Sequence, residues 1–148
     1  MYKSLGCPHC IVPNISRGEV YVKNYLDKNK IKYIAQKKFD DLKDKNFLSY
    51  DFYLPNYKIL IEYQGIQHYR KIERFGGIDN FNKQQYHDYL KADYANKNGY
   101  KLLEINYRYN TQQKVNHFLH KKYYLNNVRS VVQFRKLLIG KEHNGIED

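Results

Sequence analysis

Hydrophobic and polar residues alternate along two neighbouring segments in the middle of the chain. Apolar and polar side chains take turns through residues 48–54, and again through residues 59–64, with Pro55-Asn56-Tyr57-Lys58 between them. A period of two residues is typical of β-strands. The pattern therefore predicts a β-hairpin in which Leu54 pairs with Ile59.

Helical patterns lie on both sides of this hairpin. Ser16 is followed three residues later by Glu19, which predicts a capping box at the start of a helix that ends near residues 27–30. A first strand is expected at 32–39, followed by a polar turn at 40–46. A second helix should begin near Asp79 or Asn80 and run to about residue 98, before Gly99. Its expected buried side consists of Phe81, Tyr89, Leu90 and Tyr94.

The end of the chain adds one more strand and further helices. Residues 101–106 read as a strand that should run parallel to its neighbour, since it follows a helix. Residues 112–139 are expected to form two basic helices divided near Asn126-Asn127. Together the elements predict an α/β fold, a mixed β-sheet flanked by helices with basic C-terminal helices.

The hairpin carries the candidate chemistry. If Leu54 pairs with Ile59, Asp51 falls directly opposite Glu62, and like charges in that position destabilise a sheet unless a cation lies between them. Hard oxygen ligands at this separation suit Mg²⁺ or Mn²⁺. The alternative is that both carboxylates lie on a solvated sheet face. Gln64, Gln67 and His68 crowd the same strand end and favour a functional site.

Charge and composition limit the class of partner. The chain has 148 residues, which predicts one domain, and 26 Lys and Arg against 15 Asp and Glu give a net charge of +11. Such a balance indicates a polyanionic partner, most simply nucleic acid, with an anionic membrane surface as the alternative. No apolar run is long enough to cross a membrane. The absence of a signal peptide and the two cysteines, Cys7 and Cys10, favour a cytoplasmic, reducing location, the host cytoplasm for a viral protein.

Acidic residues in this order resemble the PD-(D/E)XK nuclease superfamily: Glu19 on a helix, Asp51 on a strand, then Glu62-Tyr63-Gln64 on the next strand. A wider string adds to the likeness: Gly6-Cys7-Pro8-His9-Cys10, Ser16-x-Gly18-Glu19, Tyr50-Asp51-Phe52-Tyr53-Leu54-Pro55, Ile61-Glu62-Tyr63-Gln64-Gly65-Ile66-Gln67-His68, Phe75-Gly76-Gly77, His87-Asp88-x-x-Lys91 and Leu102-Leu103-x-Ile105-x-Tyr107. This string is similar to small phage and mobile-element endonucleases of the homing type, related to very-short-patch repair endonucleases. The resemblance spans about residues 6–107.

The resemblance implies a restriction-endonuclease-like core and a Mg²⁺- or Mn²⁺-dependent endodeoxyribonuclease. Asp51, Glu62 and the backbone carbonyl of Tyr63 would bind the metal, and Glu19 would face the same cluster unless it serves only its capping box. Residues 1–15 would be the remnant of a zinc ribbon, 16–110 the nuclease core and 111–148 a basic extension. Zinc needs four ligands, so we expect Cys7 and Cys10 to be free thiols rather than a complete zinc site.

One departure concerns the lysine of the superfamily motif. Gln64 stands where lysine is usual, and a glutamine can orient a water molecule but supplies no charge. Lys91 on the following helix could supply it, although an ion pair with Asp88 or a plain phosphate contact are alternatives. His68 or His87 could transfer a proton, with His68 ranked first, and Asp88 could be an additional acid.

Basic residues provide the expected contacts with DNA phosphates, although a solvated helix face explains the C-terminal ones equally well. The candidates are Arg70, Lys71, Arg74, Lys121, Lys122, Arg129, Arg135 and Lys136. The leading interpretation is a metal-dependent endonuclease acting on double-stranded DNA, which would nick one strand unless it forms a homodimer. The alternatives are a non-catalytic nucleic-acid-binding module on a decayed nuclease core, and a basic protein that binds other proteins.

Overall fold

The computed structural model of the protein describes residues 15–71, 73 and 76–127. Its helices and strands follow one another in the order predicted from the sequence. They are α1 (Arg17–Lys28), β1 (Ile34–Lys43), β2 (Phe47–Leu54), β3 (Ile59–Gln64), a 3₁₀ turn (Ile66–His68), α2 (Gly77–Lys97), β4 (Lys101–Asn106) and α3 (Gln112–Asn127).

The four strands form one mixed sheet in the order β1-β2-β3-β4. The β1–β2 and β2–β3 pairs are antiparallel, whereas β3 and β4 are parallel. Leu54 pairs with Ile59 in the hairpin, which confirms the register predicted from the alternating pattern. The predicted parallel strand at 101–106 is confirmed as well, and the fold is of the α/β class.

Helices α1 and α2 contact opposite faces of the sheet. Leu60 packs in a buried cluster with Ala95 of α2, whereas the ring of Tyr63 lies against Gly18 of α1. Side chains three residues apart on a strand point to opposite faces. Strand β3 is therefore covered on both sides, and five of its six residues are buried. Any polar side chain on β3 is consequently held in a largely water-free position.

The sequence set the limits of two elements wrongly. Strand β1 continues to Lys43 instead of ending at residue 39, because it pairs again with β2 at Phe47 and buries Leu42 after an irregularity in register. The predicted polar turn therefore shrinks to residues 44–46. Tyr89, expected on the buried side of α2, is 63% exposed, while Leu90 and Tyr94 pack against the core as predicted.

The chain divides into two units, one up to Asn116 and the other from His117 onward. The first basic helix, α3, is confirmed, whereas the second lies outside the described residues. The predicted domain limits at residues 15 and 110 stay predictions. In the described part of the chain, no helix is long and apolar enough to cross a membrane.

Candidate active site

Asp51 lies where β2 leaves its regular pairing with β3. The regular pairs extend from Leu54 to Phe52, and the Asp51 carboxylate then accepts a hydrogen bond of 2.7 Å from the backbone amide of Tyr63. Burial, followed by the negative charges of Glu62 and Glu19, raises the pKa of Asp51 to about 9. Asp51 is therefore protonated near neutral pH when no cation is bound.

Glu19 belongs both to the helix cap and to this acidic cluster. One of its carboxylate oxygens accepts a hydrogen bond from the Ser16 amide at 2.6 Å, which completes the predicted capping box. The other accepts one from the side-chain amide of Gln36 at 3.0 Å. A hydrogen bond with Glu19 also contributes to the raised pKa of Asp51. The capping box is thus confirmed, and a part for Glu19 in a metal site stays a prediction.

Glu62 is buried on β3 and forms an ion pair with Lys91 of α2. Burial raises the pKa of its carboxyl group, and the neighbouring Lys91 ammonium opposes that rise. Its Oε1 atom is the one that contacts the Lys91 ammonium. The hairpin therefore brings Asp51 and Glu62 within electrostatic reach, and each carboxylate also has its own partner.

Lys91 is held by the core beneath it. The buried hydroxyl of Tyr50 donates a hydrogen bond of 2.6 Å to the Lys91 carbonyl, and the Lys91 ammonium lies 5.5 Å from the centre of the Tyr50 ring. The sequence suggested Asp88 as one partner for Lys91, whereas the structure pairs it with Glu62. Lys91 thus brings a positive charge to the acidic strand end, which the neutral side chain of Gln64 does not supply.

A second polar group lies at the carboxyl ends of β3 and β4. Gln64 is buried and accepts a hydrogen bond from the Tyr69 hydroxyl. Glu104 faces Glu62 across the parallel ladder and shares a hydrogen bond with Gln64. Loss of solvation at its carboxyl and the charge of Asp88 raise the pKa of Glu104, although much of the side chain is exposed. No sequence signal marks Glu104 as part of the site, because its position depends on the register of β4.

The two candidate histidines have separate carboxylate partners. His68 Nδ1 lies 2.8 Å from Asp88 Oδ2, and the side chain of Gln84 donates to the other Asp88 oxygen at 2.9 Å. His87 Nε2 instead lies 3.0 Å from Asp44, in the turn between β1 and β2. On α2, Gln84, Asp88 and Lys91 therefore reach the carboxyl ends of the strands, whereas His87 contacts the β1–β2 turn.

Tyr63 anchors the acidic strand to its surroundings. Its hydroxyl group donates to the carbonyls of Tyr107 and Tyr109 at 3.2 and 3.1 Å. Its ring fills the space next to Gly18, where a Cβ atom would come within 2.1 Å of the ring carbons. The role of its backbone carbonyl as a metal ligand stays a prediction.

The donor groups fit a hard divalent cation. Asp51 and Glu62 offer carboxylate oxygens, and repulsion by the charge of Glu62 helps to raise the pKa of Asp51. A cation between them would relieve that repulsion. Within residues 15–71, 73 and 76–127, no three His, Cys, Asp or Glu side chains already converge as a metal cluster. Binding would therefore require Asp51 to lose its proton and the side chains to adjust.

Few of the predicted phosphate contacts can be located. Lys71 lies 3.1 Å from Glu73, and Lys122 lies over the ring of Phe118 within α3. Arg70 and Lys121 are exposed. The remaining candidates, together with both cysteines, lie outside the described residues: Cys7, Cys10, Arg74, Arg129, Arg135 and Lys136.

Relatives of the chain occur in two viruses. It is 42% identical over 67 residues to the uncharacterized protein 307L of Invertebrate iridescent virus 6, an alignment that covers 44% of this chain and 34% of the relative. It is 31% identical over 105 residues to the uncharacterized protein 094L of Frog virus 3 (isolate Goorha), covering 64% of each. The chain thus spans about a third and just under two thirds of these relatives. No family model and no solved structure matches it.

Proposed function

We propose that this protein is a metal-dependent DNA endonuclease with a restriction-endonuclease-like core of the PD-(D/E)XK type. One observation carries the proposal: half-buried Asp51 and buried Glu62 lie on adjacent antiparallel strands, and Lys91 from the next helix contacts Glu62. Two neighbouring carboxylates that hold a metal ion, with a cation beside them, can support metal-assisted phosphodiester hydrolysis.

The acidic cluster would bind Mg²⁺ or Mn²⁺ through Asp51 and Glu62, with the Tyr63 carbonyl as a third oxygen ligand. When bound, such a cation lowers the pKa of a water molecule and neutralises charge on the scissile phosphate. The protein prepares this site by burying Glu62 and by holding the half-buried Asp51 carboxyl group on the Tyr63 amide. Their raised pKa values predict that binding releases protons and strengthens as the pH rises.

The remaining side chains would position the reactants and move protons. Lys91 would stabilise the negative charge that builds up on the phosphate, while the amide of Gln64 would orient the attacking water. His68 would transfer a proton to or from the reacting oxygens through Nε2, since Asp88 holds its Nδ1 side. Asp88 is itself held by Gln84, so the imidazole has a fixed orientation. His87 has no part in this proposal, because its partner is Asp44.

Double-stranded DNA is the proposed substrate, on the basis of the net charge of +11. Arg70 and Lys71 follow the 3₁₀ turn that carries His68 and would contact phosphates beside the site. The protein would act inside the cell and would cut both strands only as a homodimer.

A second candidate is a non-catalytic nucleic-acid-binding module. It is favoured by one observation, that the Lys91 ammonium already compensates the charge of Glu62 without a metal. It predicts the same salt-sensitive DNA binding but no metal-dependent cleavage.

Cleavage of supercoiled plasmid with Mg²⁺ or Mn²⁺, compared with EDTA, tests the proposal. The wild type, Asp51→Ala and Glu62→Ala should be compared at equal concentration, with Asp93→Ala as the control, because Asp93 is an exposed-face carboxylate paired with Lys97 on α2. We expect nicking or linearisation by the wild type and the control only. Intact, salt-sensitive binding without cleavage would favour the binding module.

A further inference from the structure

Gln36 has a backbone conformation that its position in a strand does not explain. It lies within β1, yet its φ angle is +51°, in the left-handed region that a side chain other than glycine rarely adopts. Its neighbours Ala35 and Lys37 pair regularly with Phe52 and Tyr50. By that register Gln36 stands opposite Asp51, and both residues are left out of the regular pairing.

The side chain of Gln36 links the acidic cluster to β2. Its amide nitrogen donates to Glu19 Oε1 at 3.0 Å, and its amide oxygen accepts from the Ser49 hydroxyl at 3.2 Å. The Glu19 contact fixes which end of the amide faces it, because a carboxylate oxygen accepts hydrogen bonds and therefore requires the amide nitrogen. Glu19 in turn contacts Asp51. The chain of contacts therefore runs Ser49, Gln36, Glu19, Asp51.

We propose that Gln36 is a positioning residue, which holds the Glu19 carboxylate on Asp51 and so prepares the acidic cluster for a divalent cation. The left-handed turn in β1 is the local distortion that brings the Gln36 amide to Glu19. Irregular positions in strands next to functional sites commonly redirect a side chain in this way. The inference rests on the proposed function and names a residue that no sequence motif singled out.

If Gln36 has this role, replacing it should weaken metal binding without lowering the stability of the fold. Gln36→Gly relieves the strain of the left-handed φ angle and removes the side-chain amide. In EDTA the variant should be at least as stable as the wild type, with a Tm that is unchanged or raised by about 2 °C. Its half-saturating Mn²⁺ concentration should rise about 10-fold, which is the usual effect of removing a residue that holds a metal ligand in place. Gln36→Glu keeps the length of the side chain but cannot donate to Glu19, and should weaken Mn²⁺ binding likewise.

Lys58→Gly is the matched control. Lys58 also has a left-handed φ angle, of +54°, but it lies in the hairpin turn at the far end of β3 from Gln64. It should gain stability as Gln36→Gly does and bind Mn²⁺ as the wild type does. Mn²⁺ binding is followed by the rise in Tm and by calorimetric titration, and plasmid cleavage is measured in parallel.

The outcomes distinguish this inference from the proposed function. Weaker Mn²⁺ binding by both Gln36 variants, with Lys58→Gly unaffected, supports the inference. Unchanged Mn²⁺ binding by the Gln36 variants overturns it, whatever the wild type does to DNA. A wild type that binds Mn²⁺ but never cleaves DNA contradicts the proposed function alone, and a wild type that binds no Mn²⁺ contradicts both.

Discussion

The ammonium group of Lys91 on α2 forms an ion pair with the carboxylate of Glu62 on β3, and both side chains are largely buried. The pair joins helix to sheet at the point where the acidic cluster lies. A buried carboxylate needs such a partner, since loss of its solvation otherwise favours the neutral form. The same lysine is therefore expected to stabilise the fold and to take part in the chemistry.

Replacing Lys91 with methionine should strongly destabilise the protein. The substitution keeps the apolar length of the side chain but leaves Glu62 buried without a counter-charge, a change of about 3–5 kcal/mol in the free energy of unfolding. Lys97→Met, on the exposed end of the same helix, should leave stability nearly unchanged. Urea denaturation at pH 7 measures both. Equal stability of the two variants would show that the Glu62 pair contributes nothing.

Asp51→Asn should stabilise the metal-free protein at pH 8. The pKa of Asp51 is about 9 in the folded state and near 3.9 in the unfolded chain, so between these values the folded state binds the extra proton and stability falls as pH rises. Asparagine resembles the protonated acid: its oxygen accepts from Tyr63 and its amide can donate to Glu19. The free energy of unfolding in EDTA should therefore be higher for Asp51→Asn than for the wild type.

The control for this prediction is Asp93→Asn, which changes a carboxylate that is paired with Lys97 outside the cluster. Its stability should follow the pH dependence of the wild type between pH 5 and 9. An Asp51→Asn protein that is less stable than the wild type at pH 8 would mean that Asp51 is ionised in the folded state.

Two histidine–carboxylate pairs each include one residue of α2, and only the His68–Asp88 pair should matter for cleavage. His68→Ala should lower the cleavage rate about 100-fold, the usual contribution of a positioned acid or base. His87→Ala should lower it far less, because its pair with Asp44 lies at the β1–β2 turn. Equal effects of the two histidine substitutions would contradict the assignment.

Gly18→Ala should destabilise the fold through overpacking. The new methyl group would meet the ring of Tyr63, which cannot withdraw easily because its hydroxyl is bound to two carbonyls. We expect a loss of about 1–3 kcal/mol in the free energy of unfolding. Gly65→Ala is the comparison, since its methyl group would meet only the movable side chain of Gln67. If Gly18→Ala proves as harmless as Gly65→Ala, the contact between α1 and β3 is looser than described.

The sequence predicted those features that depend on local pattern. The alternation of apolar and polar residues predicted the hairpin. Together with the length of the turn, it also placed Leu54 opposite Ile59. The capping box and Gly99 located the ends of α1 and α2 to within a few residues. These signals are local because the backbone groups and side chains concerned lie within four residues of each other.

Features set by tertiary pairing could not be read from the sequence. Lys91 meets Glu62 only because α2 lies across β3, and Glu104 faces Glu62 only because β4 pairs in one particular register. The left-handed turn at Gln36 has no signal in a stretch of ordinary strand residues. The sequence therefore predicted the two acidic residues of the candidate site, Asp51 and Glu62. The contacts that support them are visible only in the structure.

The measurement that tests the central claim most directly is plasmid cleavage by Asp51→Asn in Mg²⁺, at a concentration where its folding has been verified. We predict that Asp51→Asn is at least as stable as the wild type and cleaves no DNA. The wild type and the Asp93→Asn control should both cleave DNA, and EDTA should abolish that cleavage. Cleavage by Asp51→Asn at the wild-type rate would contradict the account, because a metal site built on Asp51 could not survive loss of its carboxylate.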